Sequence, residues 1–134
     1  MTGSKFATAI NCIDGRIQMP VIFWIMKKFG VDYVDTITAA GPEKLLAEGI
    51  NQASIDSMRN CLEISMTRHG SKLVVVSAHF NCAGNPVEKE LQLQQLRAAV
   101  TTVKSWQPDI AVAGVWVNEE WQVEPVSIDD GINP

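Results

Sequence analysis

The run Leu73-Val74-Val75-Val76 constrains the fold more than any other segment of the chain. It is short, continuously apolar and set between turn-forming sequence, His69-Gly70 before it and polar residues after it. A strand that is apolar at every position, rather than at every second one, is covered on both faces. Sheets covered that way are mostly parallel, and their parallel strands are joined by crossover helices.

The rest of the sequence supplies those strands and helices. Phe6 to Asn11 reads as a buried first strand that stops at Cys12. Pro20 opens a helix carrying Val21, Ile22, Trp24, Ile25 and Met26, with Gly30 as its stop. Tyr33 to Thr38 is a second strand, followed by the loop Ala39-Ala40-Gly41-Pro42 and a short helix from Glu43 to Glu48. Ser54 is the expected N-cap of a longer helix with Ile55, Met58, Leu62 and Met66 near one face, closed by His69-Gly70. A further helix spans about Pro86 to Trp106, and Ile110 to Val117 and Gln122 to Ile128 pair as a terminal hairpin. The expected fold is α/β: three layers, a mostly parallel sheet with helices on both faces, and an antiparallel last strand. One domain over residues 1–134 is expected, with a loose tail from Asp129 to Pro134.

Several functional classes are disfavoured. The net charge of −4 is spread along the chain with no basic run, so neither nucleic acid nor an anionic membrane surface is an expected partner. The longest strongly apolar stretch, Met19 to Met26, is too short to span a bilayer. No secretory signal is visible, and three cysteines cannot pair completely, so reduced thiols in the cytoplasm are expected.

The chemistry sits where the most buried strands end. Cys12-Ile13-Asp14-Gly15-Arg16 follows the first strand, and His79-Phe80-Asn81-Cys82 follows the valine strand. Ligands gather at the carboxyl ends of strands in open α/β sheets. With the two strands adjacent, Cys12, His79 and Cys82 offer two sulfurs and one nitrogen, a soft set suited to tetrahedral zinc with a fourth position open or filled by a carboxylate. Either segment alone is weak evidence, since a buried cysteine after a strand is often a small hydrophobe. Asp14 and Arg16 alternate with Cys12 and share its side if the chain stays extended. On a bare surface such a pair contributes about 0–1 kcal/mol; beside a metal it orients a carboxylate. Cys61 reads as helix core, His69 as a helix cap, Trp24 and Trp106 as helix packing, and Trp116 and Trp121 as strand residues able to line an interface.

These residues resemble the zinc motif of the β-class carbonic anhydrases, Cys-x-Asp-x-Arg followed several dozen residues later by His-x-x-Cys. The match reads Cys12-Ile-Asp14-Gly-Arg16 and His79-Phe-Asn-Cys82, then Ala83-Gly84. The resemblance extends to the Ala40-Gly41 loop, the Ser54 to Val76 helix and strand, and the Val112 to Val126 strand pair. It departs at Thr38-Ala39-Ala40-Gly41-Pro42, which replaces the family's Arg-Asn-Ala-Gly-Asn loop, and only Met1 to Lys5 stand where the family has an N-terminal helical arm.

The resemblance implies reversible hydration of carbon dioxide to bicarbonate by a metal-bound hydroxide. Zn²⁺ would be held by Cys12, His79 and Cys82, Asp14 would aim the hydroxide, and Arg16 would hold Asp14. In a closed form Asp14 itself takes the fourth zinc position. Backbone groups at Ala83, Gly84 and Gly41 are the expected anion contacts. Two alternatives stand beside this: hydrolysis of carbonyl sulfide or carbon disulfide on the same scaffold, and a zinc-stabilised binding or regulatory domain without turnover. The resemblance also implies a homodimer or higher homo-oligomer, formed through the Tyr33 to Thr38 edge or the aromatic face around Trp24 and Phe29.

Overall fold

The structure, a computed structural model, describes residues 3–128. Among the described residues five strands and four helices follow in the order β1 (Phe6–Cys12), α1 (Gly15–Phe29), β2 (Tyr33–Ala39), α2 (Pro42–Glu48), α3 (Gln52–His69), β3 (Leu73–His79), α4 (Lys89–Trp106), β4 (Ala111–Val117) and β5 (Val123–Ile128). The sheet order is β2-β1-β3-β4-β5, with every pair parallel except the antiparallel β4–β5. β1 and β3 are therefore neighbours, with Ile10 opposite Val76, and their carboxyl ends open on the same edge.

Strand alternation sends side chains to two separate cores. Ile10, Val74, Val76, Val112 and Trp116 pack against α2, α3 and α4 through Leu46, Met58, Leu62, Leu96 and Val103. Ala7, Ala9, Val75, Ala113 and Val115 pack on the other side against α1. Every residue of β3 is buried, as its unbroken apolar run requires. Ile17, Val21 and Ile25 of α1 are spaced four apart and fully buried. Each contributes about 1.5–3 kcal/mol by burial, whereas an N-cap contributes about 1 kcal/mol. Packing therefore decides which face α1 presents, and the cap decides where it begins.

Helix starts are where the sequence-based expectations need correction. α1 opens at Gly15, because the Asp14 side chain caps it by accepting from Arg16 N–H at 2.9 Å. Pro20 lies in the second turn, where it forgoes only the bond to the Arg16 carbonyl. α3 begins at Gln52, capped by Asn51, whose side chain accepts from Ser54 N–H at 3.1 Å. Asparagine caps as well as serine does. α4 begins at Lys89, since Asn85, Pro86 and Val87 form a turn closed by Val87 N–H donating to the Asn85 carbonyl at 2.8 Å.

Two side-chain placements also differ from expectation. Cys61 is exposed, because the buried face of α3 runs through Ile55, Met58, Leu62 and Ser65 and leaves Cys61 on its flank. Trp116 is in the core at 3% exposure, so it lines no outer face of the chain. The tail from Asp129 to Pro134 lies outside the described residues. No described helix is long and apolar enough to cross a membrane.

Candidate metal centre

Cys12 ends β1, His79 ends β3, and Cys82 follows in the turn after β3. All three are buried, and one ligand atom from each lies within 4.8 Å of the others. The sulfurs of Cys12 and Cys82 are 3.8 Å apart, far beyond a disulfide, and both thiols are free. Nδ1 of His79 donates to the Phe80 carbonyl at 2.8 Å, which leaves Nε2 as the free acceptor. That Nε2 is buried and has no hydrogen-bond partner. A buried imidazole nitrogen without a partner, aimed at two thiols, is an arrangement that a metal ion satisfies.

The electrostatics agree with this. Hydrogen bonding between the two thiols pulls Cys12 well below its ordinary value and pushes Cys82 above it. The backbone of Gly41 and of Asp14 beside the Cys12 sulfur also lowers its pKa, and that of Gly84 works against the rise at Cys82. For His79, burial lowers the pKa, but the nearby Cys12 sulfur, the Phe80 carbonyl and the Asp14 charge outweigh it and raise the value.

Asp14 and Arg16 reach the site by a route other than an extended chain. Asp14 turns the backbone into α1, and Arg16 folds back from the first helical turn. Arg16 Nε donates to Asp14 Oδ1 at 3.0 Å and Nη2 to Oδ2 at 2.7 Å, a bidentate contact. The Arg16 side chain holds the Asp14 carboxyl down at about 2, against burial. Asp14 Oδ2 lies 4.0 Å from His79 Nε2, so the carboxylate borders the ligand cluster without joining it.

Glycines bring the two loops together. A Cβ on Gly84 would lie 2.8 Å from the Ala40 carbonyl carbon and 2.9 Å from Gly41 N, and Gly41 itself has φ +60°. Gly84→Ala must therefore displace backbone. A loss of about 1–3 kcal/mol in stability is expected from such overpacking, read by thermal unfolding. An unchanged melting temperature would contradict this close approach. Ala83 is exposed beside Gly84.

Several supporting residues carry no local sequence signal. Gln18 of α1 donates to the Cys12 and Asp14 carbonyls at 2.7 and 2.9 Å, and Asn11 and Ser77 extend this network across β1 and β3. Gln92 of α4 donates to the His79 carbonyl at 3.1 Å. Glu43 is fully buried, and its Oε2 accepts from Asn85 at 3.3 Å. Asn11 and Ser77 are detectable only as polar residues in otherwise apolar strands.

Burial raises the Glu43 pKa above its ordinary 4.5. A carboxyl whose folded value is raised favours the folded state most at low pH, and that stability is lost as pH rises above 4.5 through the folded value. Glu43→Gln, which keeps an acceptor for Asn85, should therefore gain stability relative to the parent as pH rises from 4.5 towards neutrality. Thermal unfolding across that range checks it, and a pH-independent difference would contradict it.

The chain's relatives share this arrangement of elements. A family model described as "Putative carbonic anhydrase" matches residues 2–127. The chain belongs to this carbonic anhydrase family. No curated protein matches the chain. Among solved structures it is similar to β-carbonic anhydrase isoform I of the protozoan Trichomonas vaginalis, with 14% identity, a TM-score of 0.62, and coverage of 96% of this chain and 86% of that one. It is also similar to a tetrameric β-carbonic anhydrase of the ascomycete Sordaria macrospora, with 12% identity, TM-score 0.59, and 92% and 82% coverage. The β-carbonic anhydrase CcaA aligns at 12% identity and TM-score 0.54, over 93% and 85%. At these identities the likeness is one of fold: the mostly parallel sheet with its antiparallel last strand is that of the β-carbonic anhydrases.

Proposed function

We propose that this carbonic anhydrase-family domain binds one zinc ion through Cys12, His79 and Cys82 and hydrates carbon dioxide reversibly to bicarbonate. The observation that carries this reading is the cluster of two free thiols and one unpartnered imidazole nitrogen with a fixed carboxylate beside it. The donor set fits zinc. Two thiolates bound at about 2.3 Å in a tetrahedron stand about 3.8 Å apart, and the Cys12 and Cys82 sulfurs are separated by 3.8 Å. When bound, zinc supplies a Lewis acid that lowers the pKa of water towards neutrality.

The chain's own residues do the rest. Asp14 stays ionised across the neutral range and offers Oδ2 as a proton-accepting oxygen facing the ligand cluster. Arg16 fixes its orientation by two hydrogen bonds. The backbone of Gly41 and Asp14 lies beside the Cys12 sulfur and that of Gly84 beside Cys82, and each favours the thiolate form. The backbone at Gly41, Ala83 and Gly84 rims the site and is our candidate contact for an anionic product.

Carbonyl sulfide is a second candidate substrate, linear and open to the same attack. The rim favours it in one respect: Ala39, Ala40 and Gly41 offer no polar side chain, while Ile13 and Phe80 are exposed nearby at 64% and 42%. Stopped-flow hydration of CO₂, run beside sulfide release from carbonyl sulfide on metal-verified protein, separates the readings. Faster CO₂ turnover supports the first, faster sulfide release the second, and neither leaves a zinc-stabilised binding domain.

We further propose a homodimer or higher oligomer in a reducing compartment such as the cytoplasm. β2 is an edge strand, and the exposed apolar residues of α1 are Met19 and Phe23, whereas Trp24 and Phe29 pack on each other at 5.7 Å and against the core. The structurally similar Sordaria enzymes are described as tetrameric. Light scattering should give at least a dimer mass, and a monomer mass would contradict it.

A further inference from the structure

We propose that Trp121 is a positioning residue that clamps Arg16 and thereby keeps the Asp14 carboxylate off the metal position; this rests on the zinc reading above. Arg16 is nearly half exposed, at 46%, and an exposed ion pair is weak by itself. Yet Asp14 Oδ2 is only 4.0 Å from His79 Nε2, so a modest swing of the carboxylate would bring it among the ligands. Something beyond the ion pair must hold Arg16 still.

Two further contacts do so. Arg16 Nη2 donates to the Asn81 carbonyl at 3.1 Å, and the guanidinium carbon lies 4.5 Å from the centre of the Trp121 ring. That distance makes a cation–π contact, which also removes water from one face of the guanidinium. The same indole meets Phe80 edge-on at 6.5 Å, and Phe80 supplies the carbonyl that fixes His79 Nδ1.

The backbone points the same way. Among the described residues, the non-glycine residues with positive φ are Asn81, at +58°, and Trp121, at +59°. Both touch Arg16. Asparagine visits the left-handed region readily, but tryptophan does not, and strained conformations of this kind persist only where surrounding structure fixes them. Here Asn118 fixes the turn: its side-chain oxygen accepts from Glu120 and Gln122 N–H at 2.9 and 3.0 Å, and its carbonyl accepts from Trp121 N–H at 2.9 Å. The β4–β5 turn thus holds an unfavourable backbone angle at the residue whose ring covers Arg16.

The test uses cobalt-substituted protein and azide, whose binding to an open metal position is read by visible absorption. Trp121→Gly removes the ring and suits the positive φ, so folding is preserved. Azide should bind about three- to tenfold more weakly to Trp121→Gly than to the parent, because Asp14 competes for the position. Trp121→Phe, which keeps an aromatic face, should recover most of the loss. Adding Asp14→Asn to Trp121→Gly should restore azide affinity to that of Asp14→Asn alone. Unchanged affinity in Trp121→Gly would overturn the clamp, as would a loss that Asp14→Asn does not cancel, or a parent protein that binds azide only once Asp14 is replaced. The readout needs no substrate. Protein that behaves as expected with azide but hydrates no CO₂ would refute the carbonic anhydrase reading and leave the clamp standing, and failure to take up cobalt would overturn both.

Discussion

Cys82→Ser and Cys12→Ser, purified without added metal, should each fall from about one zinc per chain to a small fraction of that, and lose essentially all turnover. A serine hydroxyl does not ionise at neutral pH and is a harder, weaker ligand than a thiolate, so each change removes one of the three protein ligands. The fold should survive. The α1 core rests on Ile17, Val21 and Ile25 against β1, β3 and β4, and the opposite core on α2, α3 and α4. Loss of metal with retained secondary structure by circular dichroism is therefore the expected signature. Elemental analysis decides it, and full zinc retention in both variants would remove the ligand assignment.

Asp14→Asn should keep its zinc and its melting temperature close to the parent's, yet lose about 10²-fold or more in turnover, the usual contribution of a positioned acid–base group. The amide preserves the size of the side chain and one acceptor oxygen, so the cap on α1 can persist. It also turns an N–H₂ towards Arg16, which presents donors only. What disappears is the ionised oxygen 4.0 Å from His79 Nε2. Stopped-flow rates normalised to bound zinc measure the effect, and a rate equal to the parent's would show that Asp14 has no part in proton handling.

Much of this was legible in the sequence, for identifiable reasons. β3 declared itself because two-sided burial leaves no polar position in Leu73 to Val76, and that single strand implied helices on both faces. The clustering of Cys12, His79 and Cys82 was legible because these residues stand at or just after the ends of apolar strands, where parallel sheets collect their functional groups. Helix starts were misplaced because neighbouring residues compete to cap. Asp14 starts α1 ahead of Pro20 by capping Arg16 N–H, with Pro20 tolerated inside the helix, and Asn51 caps α3 in place of Ser54 by accepting from Ser54 N–H. Cys61 was misplaced by a quarter-turn of α3, an angle that a weakly amphipathic helix does not specify.

Beyond Asn11 and Ser77, the supporting residues were not legible. Trp121 reaches Arg16, and Glu43 reaches Asn85, only after the sheet has assembled, and nothing local marks either contact. The motif names the candidate ligands, while the residues packed around them are set by tertiary packing.

Zinc titration of metal-free protein, followed by stopped-flow CO₂ hydration, measures directly whether bound zinc turns the Cys12, His79 and Cys82 cluster into a hydrating site. Without metal no hydration above background is expected, and the rate should rise linearly with added zinc to a break at about one equivalent per chain, the stoichiometry of a single four-coordinate site. Protein that takes up that zinc through its cysteines and still fails to accelerate hydration would contradict the proposed function.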